Sequence, residues 1–238
     1  MHKEKRMVLE GREREIFDIL QKRDKVTVRE LAQILFVSEM TVRRDLTSMQ
    51  RQGLVKRFRG GALLNTGDIS LPVAHRIHIE EGEKRNLAAR AARYLRDGQS
   101  VFIDSSSTCC YLIAHLKKYK DIRLFTNSVS AIQMASELHI DGTLYGGAYY
   151  VRDMCCVGPL AEAQAECVSV DVAFFSSLGY SDDGVISDED LPQTAMRRAV
   201  MKNAKQNVFL FEKRKLHKKL LYTLCTKEDA TEIFTTEE

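Results

Sequence analysis

Residues 37–46 read VSEMTVRRDL, and this stretch places a helix start directly before two adjacent arginines. Ser38 is a natural N-cap residue, because its hydroxyl oxygen can accept a hydrogen bond from a free backbone N–H group of the first turn. Val42, Leu46 and Met49 recur at spacings of four and seven residues, which predicts one apolar stripe that faces a core. The remaining faces of this helix then carry the polar residues Thr41, Arg43, Arg44 and Ser48.

Two further helical patterns precede this one. Ile16, Ile19 and Leu20 have the spacing of an amphipathic helix. The stretch Thr27–Glu30 fits a capping box that begins a second helix. Only a few residues separate the second helix from the third. A short turn between two helices, followed by a helix that presents Ser, Thr and Arg, is typical of a helix-turn-helix, whose second helix enters the DNA major groove.

A basic segment follows the third helix. After Gly53 the chain reads LVKRFRGGALL, which predicts a β-hairpin wing whose basic residues contact phosphates. The alternative is a small helical bundle with a solvated basic face, but cap, turn, stripe and wing agree with one another and favour DNA binding. Asp45 is expected to pair with a neighbouring arginine. The candidate DNA-binding residues are Thr27, Ser38, Met40, Thr41, Arg43, Arg44, Ser48, Lys56, Arg57 and Arg59.

The charge of the chain is unevenly distributed. Residues 1–62 hold 15 Lys+Arg against 9 Asp+Glu, whereas the remainder holds 21 against 24. A basic first part on a mildly acidic body suggests that the first part binds a polyanion. Solubility alone would also explain six excess charges, so the charge does not decide between these two interpretations.

The sequence also indicates the cellular compartment in which the protein is expected. No apolar run has the length of a membrane span, and the first residues, MHKEKRMVLEGRERE, lack the apolar region of a signal peptide. The six cysteines form neither C-x-x-C nor the Cys/His spacing of a zinc site. We therefore expect a cytoplasmic protein with no metal or cofactor, whose cysteines are reduced and act as small hydrophobic residues. A redox-sensing thiol is the less favoured alternative.

The body of the chain alternates between strand and helix patterns. Residues 65–72 are polar and turn-rich, which predicts a linker between a DNA-binding domain at 1–64 and a second domain at 73–238. This alternation predicts an α/β domain with a mainly parallel sheet. The predicted strands are Ser100–Asp104, Ile122–Thr126, Thr143–Tyr145, Asp171–Phe175, Asn207–Phe211, Leu221–Cys225 and Glu232–Thr235. The predicted helices are 81–96, 110–116, 129–138 and 193–204.

Small polar residues follow three of these strands. In parallel sheets, ligands bind beyond the carboxyl ends of the strands, and hydroxyl and backbone N–H groups at a helix start can hold an anion. Each run taken alone is more typical of a turn or a cap, and three runs at one edge make a ligand site an equal alternative to that interpretation. The candidates are Asp104, Ser105, Ser106, Ser107, Thr108, Thr126, Asn127, Ser128, Gly146 and Gly147.

The first part of the chain resembles a known family of regulators. VSEMTVRRDL at 37–46, GLVKR at 53–57 and GGA at 60–62 resemble the winged helix-turn-helix of the DeoR family of bacterial transcription regulators. Where that family often has a histidine before the two glycines, this chain has Arg59. The resemblance implies a sequence-specific DNA-binding regulator, and repression is the usual mode of the family.

The body resembles the DeoR effector domain more loosely, chiefly through TNS at 126–128 and GG at 146–147. This resemblance implies a ribose-5-phosphate-isomerase-like fold that binds a phosphorylated sugar or a related small-molecule effector, which controls genes of sugar or carbohydrate metabolism. The family's Asp-Ser-Gly-Thr-Thr phosphate loop reads DSSST here, at 104–108. Its Asp-x-Ser-Lys-x-Gly motif reads EKRKLH at 212–217, so Lys215 keeps its place and joins the candidate effector-binding residues.

The body has two alternative interpretations. The changed residues Ser106, Ser107 and Glu212 keep open a body that has lost its ligand and serves only for assembly. An isomerase-like enzyme would need a carboxylate base such as Asp104, Asp171 or Asp183, but an isomerase has no use for a DNA-binding domain. One winged helix covers one half-site, so we expect a homo-oligomer on double-stranded DNA.

Overall fold

The structure is a computed structural model, and it describes residues 11–23, 25–65 and 71–236. The chain divides into two compact units, Met1–Ile79 and Glu80–Glu238. The first ten residues and residues 66–70 of the predicted linker lie outside the described residues. In the part that is described, no helix is long and apolar enough to cross a membrane.

The described part of the first unit contains the three helices and the hairpin that the sequence predicts, together with a short fourth helix. Its three strands pair antiparallel in the order β1-β3-β2. Residues 59 and 60 form the two-residue turn of the hairpin, since Phe58 pairs with Gly61. The elements are α1 (Gly11–Lys22), β1 (Val26–Thr27), α2 (Val28–Ile34), α3 (Glu39–Arg51), β2 (Val55–Phe58), β3 (Gly61–Leu64) and α4 (Val73–Arg76).

Local sequence signals explain where these helices begin. The Thr27 side chain accepts a hydrogen bond from the backbone N–H of Glu30, and the Glu30 carboxylate accepts one from the backbone N–H of Thr27. This reciprocal arrangement is the predicted capping box. The Ser38 side chain likewise accepts a hydrogen bond from the backbone N–H of Thr41 and caps α3. The predicted stripe of Val42, Leu46 and Met49 is fully buried.

The first unit extends beyond the hairpin. Leu71 and Ile79 are buried in the same apolar cluster as the stripe of α3, and residues 71–79 therefore belong to the first compact unit. The sequence instead predicts that residues 73–79 belong to the second domain, because the predicted linker ends at Pro72. Burial of apolar side chains stabilises the placement of this segment against the first unit.

The second unit is built on a six-stranded sheet in which every neighbouring pair is parallel. This confirms the predicted α/β fold. The elements up to the middle of the unit are α5 (Glu81–Ala91), β4 (Ser100–Ile103), α6 (Ile113–Leu116), β5 (Arg123–Thr126), α7 (Val129–Glu137), β6 (Gly142–Leu144), β7 (Ala148–Tyr150), β8 (Cys155–Val157) and α8 (Pro159–Glu166). The remainder are β9 (Val172–Phe175), β10 (Gly179–Tyr180), β11 (Val185–Asp188), α9 (Leu191–Asn203), β12 (Asn207–Phe211), β13 (Tyr222–Thr226) and β14 (Glu232–Thr235).

The order of the large sheet is β14-β12-β9-β4-β5-β6. The chain starts at the central strand β4, runs outward through β5 and β6, and then returns to the other side of β4 with β9. The connections that leave β4 and β9 therefore run in opposite directions, which creates a crevice at the carboxyl ends of these two strands. Asp104 follows β4 and Ser176 follows β9, so both residues lie at this switch point.

Several elements differ from the sequence prediction in detail. The helix predicted for 81–96 ends at Ala91 and continues as a 3₁₀ turn, and the one predicted for 110–116 begins as a 3₁₀ turn at Cys109. The predicted strand at 221–225 is present as β13, but it pairs antiparallel in a small separate sheet of order β10-β11-β13. The antiparallel pair β7 and β8 has no counterpart in the prediction.

Candidate nucleic-acid interface and effector site

Helix α3 presents a basic surface opposite its buried stripe. Arg43 and Arg44 are exposed, and 73% of Met40 is accessible to solvent. Because the stripe fixes the rotation of the helix, these side chains point away from the core. A shallow groove on this surface is lined by Met40, Arg43, Arg44, Thr47, Ser48 and Arg51.

The arginines of this surface differ in their partners. Arg43 forms an exposed ion pair with Glu39 at 3.2 Å, one turn earlier in the helix. Within the described chain, Arg44 makes no hydrogen bond or ion pair, so its guanidinium is available to an external acceptor. Such a guanidinium can donate two parallel hydrogen bonds to guanine O6 and N7.

The hydroxyl groups near the helix starts are partly engaged. The Ser38 and Thr41 hydroxyls lie 2.9 Å apart, and both are on the outer surface of the unit. The Thr27 hydroxyl donates to Glu30 Oε2 at 2.7 Å, which ties it to its capping box. Ser48 is half-buried, and its hydroxyl accepts a hydrogen bond from the Gln52 side chain. Ser38 and Thr41 are therefore better placed to meet a ligand than Thr27.

The wing adds three basic residues beside α3. Lys56 and Arg59 are exposed, and Arg59 occupies the turn between β2 and β3. Arg57 instead donates to the Thr47 hydroxyl of α3 at 3.0 Å. Arg57 therefore fixes the wing against the helix, while the other two side chains are available to phosphates.

Asp45 holds two helices of the first unit together. Both of its carboxylate oxygens accept from the Arg12 guanidinium of α1, one of them at 3.0 Å from Nη2. This hydrogen bond, together with the charge of Asp45, raises the pKa of Arg12. The predicted pairing of Asp45 with an arginine is thus present, but the partner is a distant residue of α1 rather than a neighbour in the sequence.

In the second unit, the switch point is occupied by a buried ionic network. Asp104 Oδ1 accepts from the Ser106 backbone N–H at 3.0 Å. Asp104 Oδ2 accepts from the Ser176 backbone N–H at 3.2 Å and from Arg197 Nε at 3.0 Å. All five residues of the loop 104–108 are buried. The loop therefore faces inward and is ordered by its own polar contacts.

Arg197 of α9 bridges two carboxylates. Its Nη1 donates to Asp188 Oδ2 at 2.8 Å, while its Nε donates to Asp104. Burial alone would lower the pKa of Arg197, but the charges of Asp188 and Asp104 outweigh it and raise the pKa. Two carboxylates against one guanidinium leave this group with an excess of one negative charge.

A second buried group surrounds Glu212 at the end of β12. Lys215 Nζ lies 2.7 Å from Glu212 Oε2, and Lys84 Nζ lies 3.6 Å from Glu212 Oε1. The Thr108 hydroxyl donates to Glu212 Oε1 at 2.8 Å. Burial alone would raise the pKa of Glu212, but Lys215, Lys84 and Arg214 outweigh it and lower the pKa far below its usual range. Glu212 is therefore a fully buried carboxylate that stays ionised.

Ser176 joins the two groups. Its backbone N–H donates to Asp104, and its hydroxyl receives a hydrogen bond from Lys215 Nζ at 2.9 Å. The structure thus brings together three predicted effector-binding residues, Asp104, Thr108 and Lys215, at the carboxyl ends of β4 and β12. Both hydroxyl protons are already engaged, that of Thr108 with Glu212 Oε1 and that of Ser176 with the Leu210 carbonyl oxygen.

The other two predicted strand ends have local structural roles. The Thr126 hydroxyl donates to the Ile103 carbonyl, and the Asn127 amide donates to the Cys156 carbonyl at 3.0 Å. Ser128 caps α7 by accepting from the Ala131 backbone N–H. A Cβ atom on Gly147 would lie 2.6 Å from the Val157 carbonyl oxygen, so close packing against β8 explains this glycine.

Four residues of the network are not among the site residues predicted from the sequence: Lys84, Ser176, Asp188 and Arg197. One signal does exist for Lys84. It precedes Leu87 and Ala88 by three and four residues, so it lies on the apolar face of α5, where a lysine is buried only if it has a partner. Arg197 has the same signal, because it lies between Met196 and Val200 on the buried face of α9.

The thiols and carboxylates form no further site in the described part of the chain. The described cysteines are unpaired, and five of the six are buried. Burial raises the pKa of Cys155 and of Cys225 to about 12, which keeps both as neutral thiols. No group of three or more His, Cys, Asp or Glu among the described residues is placed to hold a metal ion.

Comparison with known proteins decides the family. The profile of the DeoR-like helix-turn-helix domain matches residues 12–67, and that of the DeoR C-terminal sensor domain matches residues 79–237. The chain belongs to the DeoR family. Its first unit is therefore the DNA-binding domain of a transcription regulator, and its second unit is a sensor domain rather than an enzyme.

Named transcription regulators match most of the chain. The L-fucose operon activator of Escherichia coli is 28% identical over 87% of this chain and 87% of its own. The lactose phosphotransferase system repressor of Lactococcus lactis is 29% identical over 79% of this chain and 77% of its own. Among solved structures, ribose 5-phosphate isomerase from Plasmodium falciparum is similar over 57% of this chain and 53% of its own, at 13% identity and a TM-score of 0.43.

Proposed function

We propose that this DeoR-family protein represses genes of sugar metabolism and that a phosphorylated sugar bound in its α/β unit controls the repression. The basic surface of α3 reads the operator, and Lys56 and Arg59 of the wing hold the DNA backbone. A homo-oligomer supplies two such surfaces for two half-sites. The named relatives act on sugar operons, one as an activator and one as a repressor, which supports the class of target gene.

The observation that carries the DNA-binding part is the state of Arg44. It is exposed on α3, has no partner among the described residues, and lines the same groove as Thr47 and Ser48. A guanidinium that reads a base should contribute about 1–3 kcal/mol of discrimination at one base pair. A guanidinium that only clamps a phosphate should contribute equally on every sequence.

The sensor part is supported by the chemistry at the switch point. The Lys215 ammonium lies within hydrogen-bonding distance of the Thr108 and Ser176 hydroxyls, and Lys84 adds a second buried ammonium. Two lysines against the single carboxylate of Glu212 give this group one excess positive charge, and the adjoining Asp104–Arg197–Asp188 group offsets it with one excess negative charge. The support for an anionic ligand is therefore the presence of two buried ammonium groups at the strand ends and not a net charge of the site.

The test is fluorescence anisotropy of the full chain on DNA from upstream of its own gene, at two salt concentrations, with and without a panel of sugar phosphates. We expect Arg44→Ala to weaken binding to the operator about 5- to 150-fold and to lose the preference at one base pair. Lys56→Ala should weaken operator and random DNA by the same factor. Arg93→Ala is the control, because Arg93 is another exposed arginine but belongs to the sensor unit.

One second candidate has its own support. The loop 104–108 is buried, Arg197 is already bound to two carboxylates, and Glu212 already holds both lysines. A site whose charges are this well satisfied favours a body that serves only for assembly. Thermal unfolding with the same sugar phosphates separates the two candidates. A rise in the unfolding temperature with one phosphate supports the sensor, and specific DNA binding that no phosphate affects supports the assembly role.

A further inference from the structure

Phe36 has an unusual position in the turn between α2 and α3. Its φ is 54°, in the left-handed region, and 94% of the residue is exposed. For an aromatic residue this conformation is unfavourable, because the Cβ atom crowds the backbone. The exposed ring also gains nothing from packing inside the first unit. A large apolar residue that is both strained and exposed does not stabilise the domain, which points to a role in binding another molecule.

A second apolar side chain is exposed on the other side of the cap. Met40 lies in the first turn of α3, on the far side of Ser38 from Phe36, and is 73% exposed. Met40 also lines the groove that Arg43 and Arg44 share. Two large apolar side chains therefore flank the N-terminus of the helix, and they are the most exposed large apolar residues described in the first unit.

Met40 lies at the N-terminus of the second helix of the helix-turn-helix, and Phe36 lies in the turn just before that helix. In a helix-turn-helix, the N-terminal residues of the second helix contact base edges in the major groove. The major groove presents one prominent apolar group, the C5 methyl of thymine, and apolar side chains distinguish thymine by contact with it. The surrounding arginines favour a polyanion over a protein partner.

We propose that Phe36 and Met40 form an apolar reading pair, which contacts thymine methyl groups at the edge of each half-site. This inference rests on the proposed DNA-reading role of α3 and adds to it the class of base that is read. Arg44 reads by hydrogen bonding and tolerates loss of a methyl group. Deoxyuracil lacks the C5 methyl group of thymine but keeps all of its hydrogen-bonding groups. Replacing thymine by deoxyuracil should therefore weaken only the contacts of the reading pair.

The probe is a duplex selected from a random-sequence library by the full chain. Each thymine is replaced in turn by deoxyuracil, and the affinity is measured by fluorescence anisotropy. Removal of one buried methyl group corresponds to about a fourfold loss of affinity, that is about 0.8 kcal/mol. We expect this loss at one or two thymines per half-site for the unchanged protein. In Phe36→Gly and Met40→Ala, the replacement at the matching position should cost nothing.

Two controls test the specificity of the effect. Leu160→Ala removes a side chain that is as exposed as Met40 but belongs to the sensor unit, so it should leave the deoxyuracil penalty unchanged. Phe36→Gly should keep the fold, since glycine favours a positive φ. Its unfolding temperature should be equal to or above that of the unchanged protein, as should that of His139→Gly, another exposed residue with φ near 57°.

Each other outcome has a definite meaning. If no deoxyuracil replacement weakens the unchanged protein, or if the penalty persists in both variants, the reading pair is refuted. If the variants bind every duplex normally but lose regulation in cells, the pair contacts a protein instead, and the inference is again wrong. If the library yields no preferred sequence at all, the proposed DNA-reading role of α3 fails first.

Discussion

The buried carboxylate of Glu212 allows a quantitative prediction about stability. Glu212 and Lys84 are fully buried, and their charged atoms are 3.6 Å apart. At an effective dielectric constant of about 20, two unit charges at that distance attract each other by about 5 kcal/mol. The desolvation of both groups offsets part of this energy. Removing one partner of a buried ion pair costs about 3–5 kcal/mol, since the other charge is left buried without compensation.

The two partners should not be equivalent. In Lys84→Met, Glu212 keeps Lys215 at 2.7 Å, so we expect a loss near the lower limit, about 3 kcal/mol. In Glu212→Gln, both lysines lose their carboxylate, and the expected loss is about 4–5 kcal/mol. The double variant should lose less than the sum of the two single losses, because the residues share one network.

The assay is urea unfolding at pH 7, followed by far-UV circular dichroism and read from the transition of the sensor unit. Lys205→Met is the matched control. Lys205 Nζ is only 2.8 Å from Asp171 Oδ1, but the lysine is 71% exposed, so its removal should cost less than about 1 kcal/mol. A loss below 1 kcal/mol for Glu212→Gln, or a larger loss for Lys84→Met than for Glu212→Gln, would refute the reasoning.

Three further predictions follow from the same structure. The pKa of Glu212 is lowered in the folded protein. The contribution of ionised Glu212 to the free energy of unfolding is therefore complete above the unfolded pKa of about 4.3, and it is lost as the pH falls below that value. The stability of Glu212→Gln, measured by acid unfolding, should depend less on pH than that of the unchanged protein. Ser38→Ala removes the N-cap of α3 and should cost about 1 kcal/mol in thermal unfolding, with weaker operator binding in anisotropy. Gly147→Ala forces a Cβ atom to within 2.6 Å of the Val157 carbonyl oxygen and should cost about 1–3 kcal/mol in urea unfolding, whereas Gly82→Ala, with open space around it, should cost nothing.

Much of the first unit follows from its sequence, because local signals and the tertiary fold agree there. Thr27 and Ser38 cap the helices that they are predicted to cap, and the stripe of Val42, Leu46 and Met49 is buried as expected. Each of these signals acts over a few residues and does not depend on distant parts of the chain. The strained conformation of Phe36, in contrast, has no signal in the sequence.

The candidate site of the sensor unit is less predictable, because its partners come from distant segments. Lys84, Thr108 and Glu212 meet only through the order of the parallel strands, and no local periodicity encodes that order. Short strands are also hard to predict: β10 has two residues, too few to show alternation. The hydroxyl groups at 126–128 have the residue types of a ligand site, but the structure uses them for caps and strand contacts.

The position of Lys84 has a mechanical consequence. Lys84 lies in the first turn of α5, and α5 is the first helix that the chain enters after the boundary at Ile79. An ion pair with Glu212, rather than interchangeable apolar contacts, therefore anchors the start of this helix. The strength of an ion pair depends on the charges around it, so an anion that competes for Lys84 would weaken the Lys84–Glu212 pair. An apolar contact would not be affected by such an anion. Helix α5 is thus an element of the sensor unit whose anchoring depends on the charges around Glu212.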